Sequence, residues 1–155
     1  MTPVAGTTRK LALFDIDGTL LAAGDPDHIP CLVEALSHVF GRPVTLDGVA
    51  LGGNQERAIA REAARRAGVD DAEIGRRLDD VMAELGRRFL DRVTDRTARR
   101  LPGVPDSIAA LPDAGWDIGV LSGGARAVSR AKLAAAGLDD LFPVGAFGDA
   151  HDDRA

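Results

Sequence analysis

The sequence predicts an α/β fold: a parallel sheet, read as incomplete, with an α-helical segment inserted between its first two strands. Three observations carry that expectation. Leu11-Ala12-Leu13-Phe14 is a short continuous apolar run of the kind found in strands covered on both faces, and it ends in Asp15-Ile16-Asp17-Gly18-Thr19. Trp116-Asp117-Ile118-Gly119-Val120-Leu121 repeats the design and ends in Ser122-Gly123-Gly124, ahead of a helical Ala/Arg/Val pattern. Between the two, residues 27–100 show helical periodicity and no convincing strand.

Each element follows from local signals. Residues 1–9 form a polar tail and 11–15 the first strand, with Gly18 able to bend the chain sharply after the acids. Helices are expected near 29–40, 54–67 and 71–93, broken at Gly41-Arg42-Pro43, at Gly52-Gly53-Asn54 and at Gly68. Leu51-Gly52-Gly53-Asn54-Gln55-Glu56 reads either as a substrate-facing turn or as a plain helix start with Asn54 as its N-cap. Pro102-Gly103-Val104, then Ile108-Ala109-Ala110-Leu111 and Ala114-Gly115-Trp116, read as loop, helix, helix stop and strand. Arg130–Leu138 is helical with Gly137 as its stop, and Val144–Phe147 is a third strand lying beyond the second. Residues 1–23 and 99–155 then make the α/β core, and 24–98 a helical lid.

Composition narrows the function classes. A chain of 155 residues with 45% apolar content suits one soluble globular unit. The net charge of −5, with basic residues scattered among acids, leaves no footprint for nucleic acid. The arginine pairs at 65–66, 76–77, 87–88 and 99–100 read as solvated faces. No 18-residue apolar run or secretory segment occurs, so neither a membrane partner nor export is expected, and a reducing cytoplasmic setting is. The single Cys31 cannot form an internal disulfide, and its apolar flanks mark it as a small buried residue.

The chemistry concentrates at the strand ends, where open α/β sheets bind ligands. Asp15 and Asp17, at i and i+2, project to one side and can share a cation or divide nucleophile and acid/base roles. Ser122 offers a hydroxyl, and the amides after it a helix start suited to an anion. Lys132 is one of only two lysines, the other being Lys10.

Asp15-Ile16-Asp17-Gly18-Thr19 resembles the first signature of the haloacid dehalogenase (HAD) superfamily of phosphatases and phosphotransferases. The resemblance implies a Rossmann-like core with a helical cap at 24–98 that closes over the site and selects the substrate. It implies that Asp15 attacks phosphorus to form an aspartyl-phosphate, and that Asp17 protonates the leaving oxygen and then activates water. Gly18 and Thr19 would hold the turn, Ser122 and the Gly123 amide would bind phosphate, and Lys132 would neutralise phosphate and nucleophile. Asp15 and Asp17 would hold Mg²⁺, and the substrate would be a small phosphorylated metabolite. The phosphoglycolate-phosphatase-like branch looks nearest. A phosphomutase is an alternative within the enzymes, whereas a dehalogenase is disfavoured by Asp17 and Thr19.

The family's fourth signature supplies a further metal ligand, and here the chain departs from the pattern. Gly148-Asp149-Ala150-His151-Asp152-Asp153 matches Gly-Asp-x-x-x-Asp as text. Its strand, however, is expected on the far side of the second, while the signature belongs on the free flank of the first. A chain that stops short of this signature would leave an unpaired apolar edge that invites self-association. The alternative of a non-catalytic HAD-like phosphate-binding or interaction module follows from the same departure.

Overall fold

Strand β1 (Lys10–Phe14) forms where the first apolar run stands, and it pairs in parallel with β2 (Trp116–Leu121), from Lys10 opposite Trp116 to Phe14 opposite Val120. The structure is a computed structural model that describes residues 10–150, so the N-terminal tail and Asp153 lie outside the described residues. Strand β3 (Val144–Ala146) pairs in parallel with the other edge of β2, giving the order β1-β2-β3. The third strand is therefore beyond the second, as expected.

Helix α1 (His28–Phe40) buries Cys31, Leu32, Ala35, Leu36, Val39 and Phe40, an i, i+4 stripe, and stops at Gly41 with φ 64°. The thiol of Cys31 is pushed up from its ordinary pKa by burial. Helix α2 (Glu56–Arg66) starts two residues later than its periodicity suggests. Gln55, not Asn54, stands at its N-cap, and the Asn54 amide turns back to the Ala50 carbonyl at 2.9 Å. Helix α3 (Asp71–Leu90) is capped by Asp70, whose carboxylate accepts from the Glu73 amide at 2.9 Å. Two short segments join this helical layer to the sheet: Ala22 N donates to Arg99 O at 2.8 Å and Leu101 N to Leu20 O at 3.0 Å.

Helix α4 (Val104–Ala109) leads into β2, and α5 (Arg126–Ala135) crosses from β2 to β3. Gly137, at φ 67°, ends α5 in a Schellman motif: Leu138 N reaches Leu133 O at 2.8 Å and Gly137 N reaches Ala134 O at 2.9 Å.

Two apolar clusters result. One gathers α1, α2 and α3 around Leu36, Ile74, Leu78, Leu85 and Phe89, and it takes in Ala125, the residue before α5, with Val128 and Ala131 from one face of that helix. The other lies under the sheet, where Ile118 and Val120 of β2 meet Ile16, Leu20, Ile108, Leu133 and Phe142. Helix α5 contributes to both, so it joins the helical layer to the sheet.

One expectation needs correction. The apolar run of β1 reads as a strand covered on both faces, yet Leu11 is 56% and Leu13 50% exposed, as are Leu121 at 52% and Val144 at 51%. Alternation along the strand sends Ala12 and Phe14 toward the cluster and the two leucines to the opposite face. Among the described residues nothing covers that face.

Candidate active site

The loop after β1 is wound around one carbonyl. Ile16 is fully buried, and its oxygen accepts from the amides of Thr19, Leu20 and Leu21 at 3.3, 3.0 and 2.9 Å. Gly18 N closes the turn on Leu21 O at 2.7 Å, with Gly18 at φ 89°, a conformation that costs a non-glycine residue strain. Anchoring Ile16 in the core leaves its neighbours Asp15 and Asp17 on the surface at the carboxyl end of the strand. Thr19 serves this turn through its amide, and its side chain is exposed.

Lys132, on α5, is only 3% exposed, which an ammonium tolerates only with partners. Its Nζ donates to both Oδ1 and Oδ2 of Asp17 at 2.9 Å and lies 3.3 Å from His28 Nδ1. The structure thus brings Lys132 to the second acid of the Asp15-x-Asp17 pair. His28 Nε2 is in turn 2.5 Å from Glu56 Oε1, and Glu56 Oε2 accepts from Ala125 N at 2.5 Å. A continuous line of contacts therefore runs from the loop after β1, through α5 and the start of α1, to the start of α2 and back to the loop after β2.

That second loop is built less openly than its sequence suggests. Ser122 N donates to Ala146 O at 3.0 Å, which ties the loop to β3, while Ser122 Oγ accepts from Gly124 N at 3.1 Å. The amides at the start of α5 read as an anion cradle. They are already engaged: Ala125 N by Glu56, and Arg126 N by Asp149 Oδ2 at 2.9 Å. Gly123 contributes its carbonyl as an acceptor for Glu56 N at 2.8 Å. What remains toward the Asp15 side is the Ser122 hydroxyl and the loop around it.

His28 and Glu56 are absent from the sequence-derived site. A lone histidine and one glutamate in an arginine-rich helix carry no spacing signal. Only the fold brings them within reach of Lys132. Two further buried acceptors, Asp25 Oδ2 and Gln55 Oε1, have no hydrogen-bond partner, although each neighbours this line of contacts in sequence. Such atoms are commonly satisfied by water or a bound hydroxyl.

Among the described residues no group of three or more His, Cys, Asp or Glu side chains is disposed to hold a metal ion. Mg²⁺ does not require one, since it is usually held by one or two carboxylates together with substrate phosphate and water. Asp15 and Asp17 would offer that donor set, with both Asp17 oxygens shared with the Lys132 ammonium. Asp149 follows β3, beyond β2 from the free flank of β1, and one of its oxygens is committed to α5.

No helix of the described residues is long and apolar enough to cross a membrane. No curated protein matches the chain significantly. Among solved structures, a predicted phosphoglycolate phosphatase from Haemophilus somnus 129pt aligns with a TM-score of 0.57 at 22% identity, covering 96% of this chain and 67% of its own. A provisionally assigned beta-phosphoglucomutase from Thermotoga maritima aligns with a TM-score of 0.50 at 19% identity, covering 94% of this chain and 64% of its own. The chain thus spans about two thirds of the length of these neighbours, which share its fold. Residues 12–153 match the family described as haloacid dehalogenase-like hydrolase, a span that holds both strand-end loops and Lys132, and the chain belongs to that family.

Proposed function

We propose that the chain is a Mg²⁺-dependent phosphatase that hydrolyses a small phosphate monoester through an aspartyl-phosphate on Asp15. The observation that carries this reading is the buried Lys132 ammonium held on Asp17 at the carboxyl end of the parallel sheet. A buried ammonium is costly unless paired, and one held beside two carboxylates supports the reading because phosphoryl transfer depends on neutralising charge. Asp15, exposed at the end of β1, attacks phosphorus, and the bond to the leaving oxygen breaks as Asp17, in its protonated form and with one oxygen released from Lys132, delivers a proton to it. Asp17 then takes a proton from water, whose oxygen attacks the aspartyl-phosphate, releasing inorganic phosphate and restoring Asp15. Ser122 and the Gly123 amide orient the phosphoryl oxygens. Asp15 and Asp17 would hold Mg²⁺, which would supply further charge neutralisation. Residues 24–98 act as a cap whose docking on α5 excludes water from the site.

Hydrolysis of p-nitrophenyl phosphate by the chain, with Mg²⁺ and with chelator, tests this reading. Mg²⁺-dependent turnover is expected and should fall at least a thousandfold in Asp15→Asn, with the fold unchanged by circular dichroism. A folded wild-type chain without turnover, or an Asp15→Asn chain that keeps it, refutes the covalent mechanism. A second reading, phosphate binding without turnover, draws on the engagement of the Ala125 and Arg126 amides by Glu56 and Asp149. In that case inorganic phosphate would bind while the ester stays intact.

A further inference from the structure

Helices α2 and α5 both begin without a side-chain cap of their own. Their first amides nevertheless find partners, and each helix supplies or adjoins those of the other. Glu56 N and Arg57 N of α2 donate to Gly123 O and Gly148 O at 2.8 and 3.2 Å, while the Glu56 carboxylate accepts from Ala125 N at the start of α5. Glu56 is 4% exposed, and its two carboxylate oxygens meet different partners, Oε2 the Ala125 amide and Oε1 His28 Nε2, both at 2.5 Å. Docking of the helical layer and capping of α5 are thus the same event.

The same carboxylate reaches the acids through one intermediate. An ammonium has three protons to donate. On Lys132 two are directed at Asp17 Oδ1 and Oδ2, and the third faces His28 Nδ1 at 3.3 Å. Nδ1 accepts only when the ring carries its proton on Nε2, and Nε2–H then has one acceptor, Glu56 Oε1. Without the carboxylate the ring loses its reason to hold that tautomer, and an Nδ1–H would face the ammonium. A buried carboxylate fixing a histidine tautomer is the arrangement that orients histidines in metal sites and catalytic triads.

We propose that Glu56 is a positioning residue: through the Nε2–H tautomer of His28 it holds Lys132 on Asp17, and through Ala125 N it holds the loop that carries Ser122. The inference rests on the phosphatase reading for its kinetic consequence, and on the described contacts alone for its structural one. Glutamine at 56 offers one acceptor oxygen in place of two; with that oxygen on Ala125 N, its NH2 group faces His28 Nε2, which must then accept and so carry its proton on Nδ1 instead.

Two measurements test it. The first is the ¹⁵N–¹H correlation pattern of the histidine rings, with the His28 signals assigned by their loss in His28→Gln. The wild type should show His28 as the Nε2–H tautomer, and Glu56→Gln should abolish that pattern. The second is p-nitrophenyl phosphate hydrolysis with Mg²⁺: Glu56→Gln should lower kcat at least tenfold with KM changed less than threefold, and adding Glu56→Gln to His28→Gln should lower kcat less than twofold further. A purely packing role would not produce that split or that loss of additivity. If Glu56→Gln does not fold, His28→Gln alone should give the same kcat loss, and unchanged kcat there overturns the proposal. An unaltered tautomer in a folded Glu56→Gln chain also overturns it. So does a rise in kcat, which would mean the carboxylate competes with substrate phosphate for Ala125 N. A wild type that shows no hydrolysis removes the phosphatase reading only, and the ring spectra still decide the role of Glu56.

Discussion

Gly148 is where the loop after β3 touches the loop after β2, and replacing it by alanine tests how tightly the site is assembled. A Cβ at 148 would stand 1.8 Å from Gly123 O and 2.5 Å from its carbonyl carbon, both backbone atoms that no rotamer change can move aside. One of the two loops must shift. Three hydrogen bonds cross this junction: Gly148 N to Gly124 O at 2.9 Å, Glu56 N to Gly123 O at 2.8 Å and Arg57 N to Gly148 O at 3.2 Å. Each is worth about 0.5–1.5 kcal/mol net, and partial loss of all three sets the scale of the damage. Against this, alanine restricts the unfolded chain and returns about 0.4–1 kcal/mol. The expected net destabilisation is about 2–3 kcal/mol, within the range of overpacked sites, and lowers Tm by roughly 4–12 °C for a chain of this length. Denaturant and thermal unfolding measure it, with Gly52→Ala as the control, because a Cβ at 52 meets no atom within 4 Å. Gly148→Ala should also lower p-nitrophenyl phosphate turnover, since the displaced segment carries the neighbours of Ser122. A Gly148→Ala chain within about 0.5 kcal/mol of wild type, the spread of inconsequential substitutions, would refute the close approach of the two loops.

Other substitutions probe the helical layer. Gly86 of α3 is buried, and a Cβ there would lie 2.5 Å from Ala127 Cβ of α5, whereas helix propensity alone favours Gly86→Ala by about 1 kcal/mol. In a double-mutant cycle with Ala127→Gly, unfolding free energies should show that Ala127→Gly relieves Gly86→Ala by a coupling of about 1–3 kcal/mol; zero coupling would separate the two helices. Glu84 accepts from Arg87 Nε and Nη2 at 2.8 Å and from Arg88 Nε at 2.7 Å, and the Arg87 guanidinium first, opposed by partial burial, holds its pKa at about 2 against an ordinary 4.5. A depressed carboxylate stabilises the fold fully above pH 4.5 and progressively less as pH falls toward 2. Melting of Glu84→Gln should therefore lose less between pH 5 and 2 than wild type does; parallel curves would dissolve the claim.

Much of this arrangement is legible in the sequence because it depends on neighbours along the chain. The runs at 11–14 and 116–121 become β1 and β2, and the stripe Ile74, Leu78, Val81 and Leu85 becomes the buried face of α3. Asp70 caps α3 and Gly137 stops α5 by interactions that span only a few residues. Apolar character reports what a residue tolerates, not what covers it. The strands could be found from Leu11, Leu13 and Leu121, but the exposure of those leucines could not.

The start of α2 shows why the rest was hidden. A sequence reading looks for a side chain that satisfies the first orphan amides of a helix, and it finds Asn54. In the structure those amides are met by Gly123 O and Gly148 O, so no local cap is required and the helix begins at Glu56 instead. Once Glu56 occupies that first position, its side chain is delivered to the start of α5, where Ala125 lacks a local cap for the reciprocal reason. His28 enters the same way, lying 28 positions from Glu56 and 104 from Lys132. The acids, the serine and the lysine stand out in the sequence because they lie at strand ends and in short stretches of distinctive composition. The groups that hold them are recognisable only after the helical layer has docked, because each answers an unmet hydrogen bond left by a distant segment of the chain.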